Sequence, residues 1–100
     1  MDIFALRRAL VTALFQFQNP VGLNSLLFHQ EVCAAFGKLV LSPSDTLLIR
    51  RELGELVKAG YAAGIIGFPD WYKLSPDLRL TMAQSGLDRR DPFLFGPSAL

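Results

Sequence analysis

His29 and Cys33 are the single histidine and the single cysteine of this chain, and they stand four residues apart. On a helix that spacing puts an imidazole and a thiol on one face. The pair is half of a metal site, or a thiol–imidazole couple. Two ligands are too few, so a metal would need Glu31 or another carboxylate together with a second subunit. The plainer reading is a buried structural thiol beside a half-exposed imidazole. Elsewhere the sequence has no phosphate-cradling glycine loop and no serine–histidine–aspartate set in a supporting context. Gly60, Gly64 and Gly67 are spaced as hairpin punctuation. The expectation is a chain that is not an enzyme, with no metal, no cofactor and no small-molecule substrate.

The other side chains with chemistry to offer are cationic. Arg50 and Arg51, helped by Lys58, Lys73 and Arg79, are suited to phosphate contacts. They read equally well as solvated charge, partly paired with Glu52 and Glu55 along the same helix. Arg7 and Arg8 lie on the first helix and read as surface charge. Phe68, Trp71 and Tyr72 read as packing residues before they read as a base-stacking platform. Ten basic residues face nine acidic ones, a net charge of +1. DNA-binding domains usually carry a clear basic excess, because phosphate neutralisation drives their affinity. The balance here neither requires nor forbids a local basic patch.

A chain of 100 residues makes one small domain. Its hydrophobic fraction is 51% and its charged fraction 19%. A domain this small cannot hide that much apolar surface, so some should remain for a partner or a second copy. A single cysteine allows no internal disulfide, and a cytoplasmic setting is the default. Residues 9–30 carry no formal charge if His29 is neutral, yet Gln16, Gln18, Asn19, Pro20 and Asn24 interrupt them, so no membrane span is expected. Arg7-Arg8 ahead of an apolar run faintly suggests a signal peptide. Gln16, Phe17 and Gln18 stand where a small-residue cleavage site belongs, which argues against one.

The elements that position these residues follow from periodicity and caps. Residues 2–18 should form a helix with Ile3, Leu6, Leu10, Ala13, Leu14 and Phe17 along one stripe. Phe4, Val11 and Phe15 form a second stripe, which is either buried within the domain or the surface of a homodimer. Pro20 and Gly22 mark a connector. Asn24 is the expected N-cap of a second helix running to about Phe36, with Leu23 and Phe28 as a hydrophobic staple and Gly37 as its C-cap. Leu39-Val40-Leu41 reads as a short first strand. Ser42, Pro43 and Asp45 open a third helix that Gly60 stops. Its core face should be Ile49, Leu53, Leu56 and Val57, and its outward face Ser44, Leu47, Leu48, Arg51, Glu55 and Lys58. Residues 61–66 and 71–74 should pair as a hairpin across Gly67, Phe68, Pro69 and Asp70. A last short helix, residues 76–84, opens at Ser75. The domain is expected to span residues 1–86. Residues 87–100 form a C-terminal tail, whose charged start, residues 88–91, leads into an apolar strap. Its two prolines should keep it extended, docked on its own domain or on a neighbouring subunit.

Two segments carry a family resemblance. The third helix ends in Glu-Leu-Val-Lys-Ala-Gly, residues 55–60, and resembles the end of the recognition helix in winged-helix regulators. Trp71-Tyr72-Lys73-Leu74-Ser75-Pro76-Asp77 resembles their second wing strand entering the last helix, as in repressors of the MarR and PadR kind. The resemblance covers residues 2–84 in element order. It implies an α+β fold, mainly α with a small β-hairpin: two helices, a short strand, a third helix, the hairpin, then a return helix. It implies a dimeric transcriptional regulator that binds double-stranded DNA, with Ser44, Arg50, Arg51, Lys58 and Lys73 as its DNA contacts. The chain departs from that pattern at two points. The wing tip, residues 67–70, has no lysine or arginine, and Leu47, Leu48 and Glu55 stand on the outward helix face. The alternative is a protein-interaction module on the same scaffold.

Overall fold

The structure is a computed structural model that describes residues 1–97. Eight elements follow one another: α1 (Ile3–Phe15), β1 (Val21–Gly22), α2 (Leu26–Phe36), α3 (Pro43–Lys58), β2 (Ala62–Ile65), β3 (Phe68–Leu74), α4 (Pro76–Ser85) and α5 (Pro92–Phe95). The result is an α+β domain of five helices and one antiparallel sheet with strand order β1-β3-β2.

Local chemistry sets most helix ends. The Asp2 carboxylate accepts from the Ala5 N–H to start α1. The Ser42 hydroxyl accepts from the Asp45 N–H while the Asp45 carboxylate accepts from the Ser42 N–H, a complete capping box with Pro43 inside it. Gly37 closes α2 in the left-handed conformation, φ 63°. One cap differs from expectation. Ser25, not Asn24, starts α2, its hydroxyl accepting from the Phe28 N–H. Leu23 and Phe28 are both buried, as a staple requires.

The first strand is also displaced. Val21–Gly22, expected as a connector, pairs with Tyr72 and Trp71 of β3. The chain has left α1 at Phe15, and Pro20 leads it extended into the strand. Gly22 then lets the Trp71 indole lie across it, since a Cβ there would sit 3.1 Å from the ring. Leu39-Val40-Leu41 forms no strand. It is the short link from Gly37 into the Ser42 cap, and Lys38 is tied to Asp45 at 2.8 Å.

The hairpin turns two residues earlier than expected, at Ile66-Gly67, with Gly67 at φ 83°. Gly64 faces Tyr72 and Ile65 faces Phe68, so Pro69, Asp70 and Trp71 have no partner on β2, a bulge on that side of β3, while Trp71 keeps its pairing with Gly22. A bulge tolerates a proline, which has no N–H to donate. Asp70 takes φ 65°, a backbone state that aspartate accepts more readily than most residues. The Leu23 N–H donates to its carbonyl at 2.7 Å and Arg50 pairs with its carboxylate at 3.3 Å, which holds it there.

The core gathers Leu6, Leu10 and Leu14 of α1, Phe28 and Val32 of α2, and Ile49, Leu53 and Leu56 of α3, closed by the sheet through Ala62 and Leu74. Val57, expected in this core, is exposed. No residue of α4 is fully buried. Arg79 anchors that helix by donating to the carbonyl oxygens of Leu14, Phe15 and Phe17 at the end of α1, at 3.1, 3.0 and 2.6 Å.

The C-terminal strap is helical where an extended chain was expected. Pro92 occupies the first turn of α5, where its missing N–H costs nothing, and the Asp91 carboxylate caps Phe93. This turn docks on α1 of its own domain. Leu94 is buried in the main core, Arg7 donates to the Phe93 carbonyl at 3.1 Å and Arg8 to the Leu94 carbonyl at 2.7 Å. The two arginines, expected to be surface charge, also lie over the Phe93 and Phe95 rings at 4.0 and 4.8 Å. Tyr61 donates its hydroxyl to Asp91, and desolvation together with that carboxylate pushes its ionisation up to about 12. Residues 98–100 of the expected tail lie outside the described residues.

The capping box makes a measurable titration. The hydrogen bond from Lys38, then that from the Ser42 N–H, lowers the Asp45 carboxyl from 3.8 to about 2. A depressed carboxyl stabilises the fold above its unfolded value, and that stability drains away as pH falls from about 4 through 2. A carboxyl chemical-shift titration should place Asp45 near 2 and show Lys38→Met raising it. An Asp45 midpoint near 4 in the unaltered chain would contradict the box.

Candidate interaction surface

The residues with DNA-contact potential are scattered in their duties. Ser44 is exposed in the first turn of α3. Arg50 pairs with Asp70, Arg51 with Glu52 at 3.1 Å and Lys58 with Glu55 at 3.5 Å. Lys73 is exposed on β3. Arg79 is spent on the end of α1. Residues 43–74 carry four basic side chains (Arg50, Arg51, Lys58, Lys73) and four acidic ones (Asp45, Glu52, Glu55, Asp70), which cancel.

The second stripe of α1 is largely occupied from within the chain. Val11 is 0% exposed and belongs to the core, so it has no surface to offer a second copy. Phe4 packs on Gly96, whose Cβ would meet its ring at 3.3 Å, and lies near the Arg7 guanidinium. The Phe15 ring sits 5.4 Å from the Arg79 guanidinium. The three residues do not make one open face.

His29 and Cys33 do come together, lining a groove of about 430 Å³ with Leu26, Leu39, Val40 and Leu41. The imidazole Nε2 donates to the Leu23 carbonyl at 2.7 Å, and the thiol is buried. Among the described residues no three histidine, cysteine or carboxylate side chains gather closely enough to hold a metal ion.

A belt of exposed apolar side chains emerges instead, spread over α2, the link that follows it and the hairpin. At one end Leu39, 98% exposed, and Val40 stand beside the Leu26 groove. Leu27, next in sequence, lines a second groove of about 370 Å³ with Pro20 and Trp71. Trp71 meets Phe68 edge to face at 6.4 Å. Ile66, 98% exposed, ends the belt at the hairpin turn. Phe68 and Trp71 are 60% and 45% exposed. Beside the belt, Asp70 pairs with Arg50 and Lys38 with Asp45, while Glu31, one turn from Leu27, and Lys73, two residues from Trp71, are exposed and form no ion pair among the described residues. Most of this belt escapes a reading by periodicity. Leu39-Val40 reads as a strand, and Leu26 and Leu27 read as ordinary helix residues. The usable signal is that both pairs lie outside the i, i+3, i+4 stripe containing Phe28 and Val32.

Among the described residues no helix is long and apolar enough to cross a membrane. No family model matches the chain, and no curated protein or solved structure matches it.

Proposed function

We propose that this chain is a winged-helix-type module that docks another protein, without catalysis and without reading DNA. The scaffold part of this reading rests on element order and sheet order. Three helices, a hairpin after the third and a return helix support it, with a short strand paired to the hairpin, although that strand follows the first helix where the resemblance implies one after the second. The docking part rests on one observation, the belt from Leu39 to Ile66. Leaving large aliphatic and aromatic side chains in water forgoes roughly 1.5–3 kcal/mol apiece. Apolar patches of this kind on small domains mark interaction surfaces.

Position alone favours the DNA-binding alternative. Ser44, Arg51 and Lys58 share the outward side of α3, and exposed ion pairs such as Lys58–Glu55 break at a cost below about 1 kcal/mol. In that reading α3 would enter the major groove and Arg51→Ala would cost about 1–3 kcal/mol. The cancelled charge of residues 43–74 weighs against it, because phosphate contacts supply most non-specific affinity. Titrating a labelled random-sequence duplex at about 50 mM salt separates the two readings. No saturable binding is expected. Binding that weakens steeply toward about 200 mM salt would overturn the docking reading in favour of DNA.

A further inference from the structure

Resting on the docking reading for the class of partner, we propose that the free edge of β2 takes an extended, acidic segment of another protein as a fourth strand. The first observation is a set of main-chain groups turned away from the sheet. With strand order β1-β3-β2, the sheet has two edges. Both residues of β1 are buried, so that edge is closed. At the β2 edge the Ser75 N–H donates to the Tyr61 carbonyl at 3.0 Å, which fixes the phase of the ladder. Ala63 and Lys73, two residues further along each strand, then form a hydrogen-bonded pair. Ala62 and Gly64, on either side of Ala63, turn their N–H and C=O groups away from β3. Among the described residues no other backbone group bonds to them.

That edge is open. Gly64 is exposed, and a Cβ built on it meets no heavy atom of the described residues within 4 Å. Edge strands are commonly blunted by a charge, a proline, a bulge of their own or a covering loop. The β2 sequence, Ala-Ala-Gly-Ile, has no charge and no proline, and the bulged residues beside it belong to β3. Alternating donors and acceptors in a row are complementary to extended backbone, the basis of recognition by strand addition.

Charge selects the kind of strand. Lys73 is exposed and forms no ion pair among the described residues. It stands directly across from Ala63, on the same face of the sheet. In an added antiparallel strand, the residue facing Ala63 lies in a non-hydrogen-bonded pair, with its Cα about 10 Å from that of Lys73 across the two strands. The Ala63 methyl is too small to obstruct the lysine, so its ammonium can reach a glutamate at that position. A second copy of β2 would bring alanine, glycine and isoleucine to the edge, with no carboxylate for Lys73.

The test is a titration of the full ¹⁵N-labelled chain, followed by amide chemical shifts, with an acetylated and amidated peptide, Thr-Val-Glu-Val-Thr, and its counterpart with lysine at the centre. Each is raised to about 5 mM, several times a millimolar Kd. The glutamate peptide should give saturable shifts centred on Ala62, Ala63 and Gly64, and bind roughly two- to ten-fold tighter than the lysine peptide. Lys73→Glu should reverse that preference. Gly64→Pro should abolish binding, since it removes an N–H that the ladder does not use. Circular dichroism verifies its folding, and should that variant unfold, the Lys73→Glu reversal still decides. No saturable shift at the β2 edge overturns the inference, as does equal binding of the two peptides or a preference that Lys73→Glu leaves unchanged. Shifts at Ala62 and Gly64 that depend on protein concentration without peptide would assign the edge to a second copy and overturn it too. A chain that ignores both the peptides and the DNA duplex loses this inference alone, whereas one that ignores the peptides and binds the duplex loses the docking reading with it.

Discussion

Leu94→Ala is expected to remove about 2–5 kcal/mol of folding stability, a large share of the roughly 5–15 kcal/mol that a domain of this size has. The reason lies in where α5 places one side chain. Leu94 is fully buried in the same cluster as Leu6 and Leu10, although it stands near the C-terminal end of the sequence. Truncating it leaves a cavity that α5 cannot collapse to fill, because Arg7 and Arg8 fix the carbonyls on either side and Asp91 fixes the start of the turn. Urea unfolding would show the loss as a lower midpoint at unchanged slope. Leu80→Ala serves as the control: Leu80 is 60% exposed on α4, and its loss should stay within about 0.5 kcal/mol. If Leu94→Ala behaves like that control, α5 is an appendage rather than part of the core.

What the sequence discloses is what is local. The capping box at Ser42, the stop at Gly37 and the start at Ser75 lie within four residues of their partners, so type and spacing suffice to place them. The α1 and α3 core stripes are legible for the same reason, through Leu6, Leu10 and Leu14 and through Ile49, Leu53 and Leu56. Where pairing is long-range, local signals mislead. Leu39-Val40 has better β-propensity than Val21-Gly22, yet strand formation depends on a neighbour, and Trp71-Tyr72 is opposite the weaker segment. Pro92 and Pro97 argue against helix only if proline is read as a breaker at every position. At the first turn it is a starter, and Asp91 before it is the cap that marks the start.

The arginines show the same limit on the candidate surface. Arg7, Arg8 and Arg79 look like solvated charge because their acceptors are main-chain carbonyls up to 86 residues away, which no spacing rule can see. One signal was available. Glu52 falls in phase with Ile49, Leu53 and Leu56, so a carboxylate was bound to lie on the core side of α3 and to need a cation from another element. With Arg79 spent on α1, and Arg50, Arg51 and Lys58 paired within the chain, little free charge is left for phosphate, and the apolar belt becomes the prominent exposed feature.

That carboxylate carries the second large effect. Glu52 is 2% exposed, with Arg7 on one oxygen at 2.7 Å and Arg51 on the other at 3.1 Å. Arg7→Met should cost about 3–5 kcal/mol, because it strands a buried charge whose remaining partner is the half-exposed Arg51. It also removes the donor to the Phe93 carbonyl and the cation over the Phe93 ring, loosening α5. The burial of charge, more than the loss of those contacts, should dominate, and a double variant separates the two. In Arg7→Met with Glu52→Leu no charge is left in the core, the volumes are similar and Arg51 turns to water at little cost. Stability should then recover to within about 1–2 kcal/mol of the unaltered chain, the remainder being the hydrogen bond and ring contact to Phe93. The corresponding coupling between the two sites should be about 2–3 kcal/mol in a double-mutant cycle. A double variant as unstable as Arg7→Met alone would mean that Arg7 matters chiefly as the clamp on α5, with the ion pair secondary.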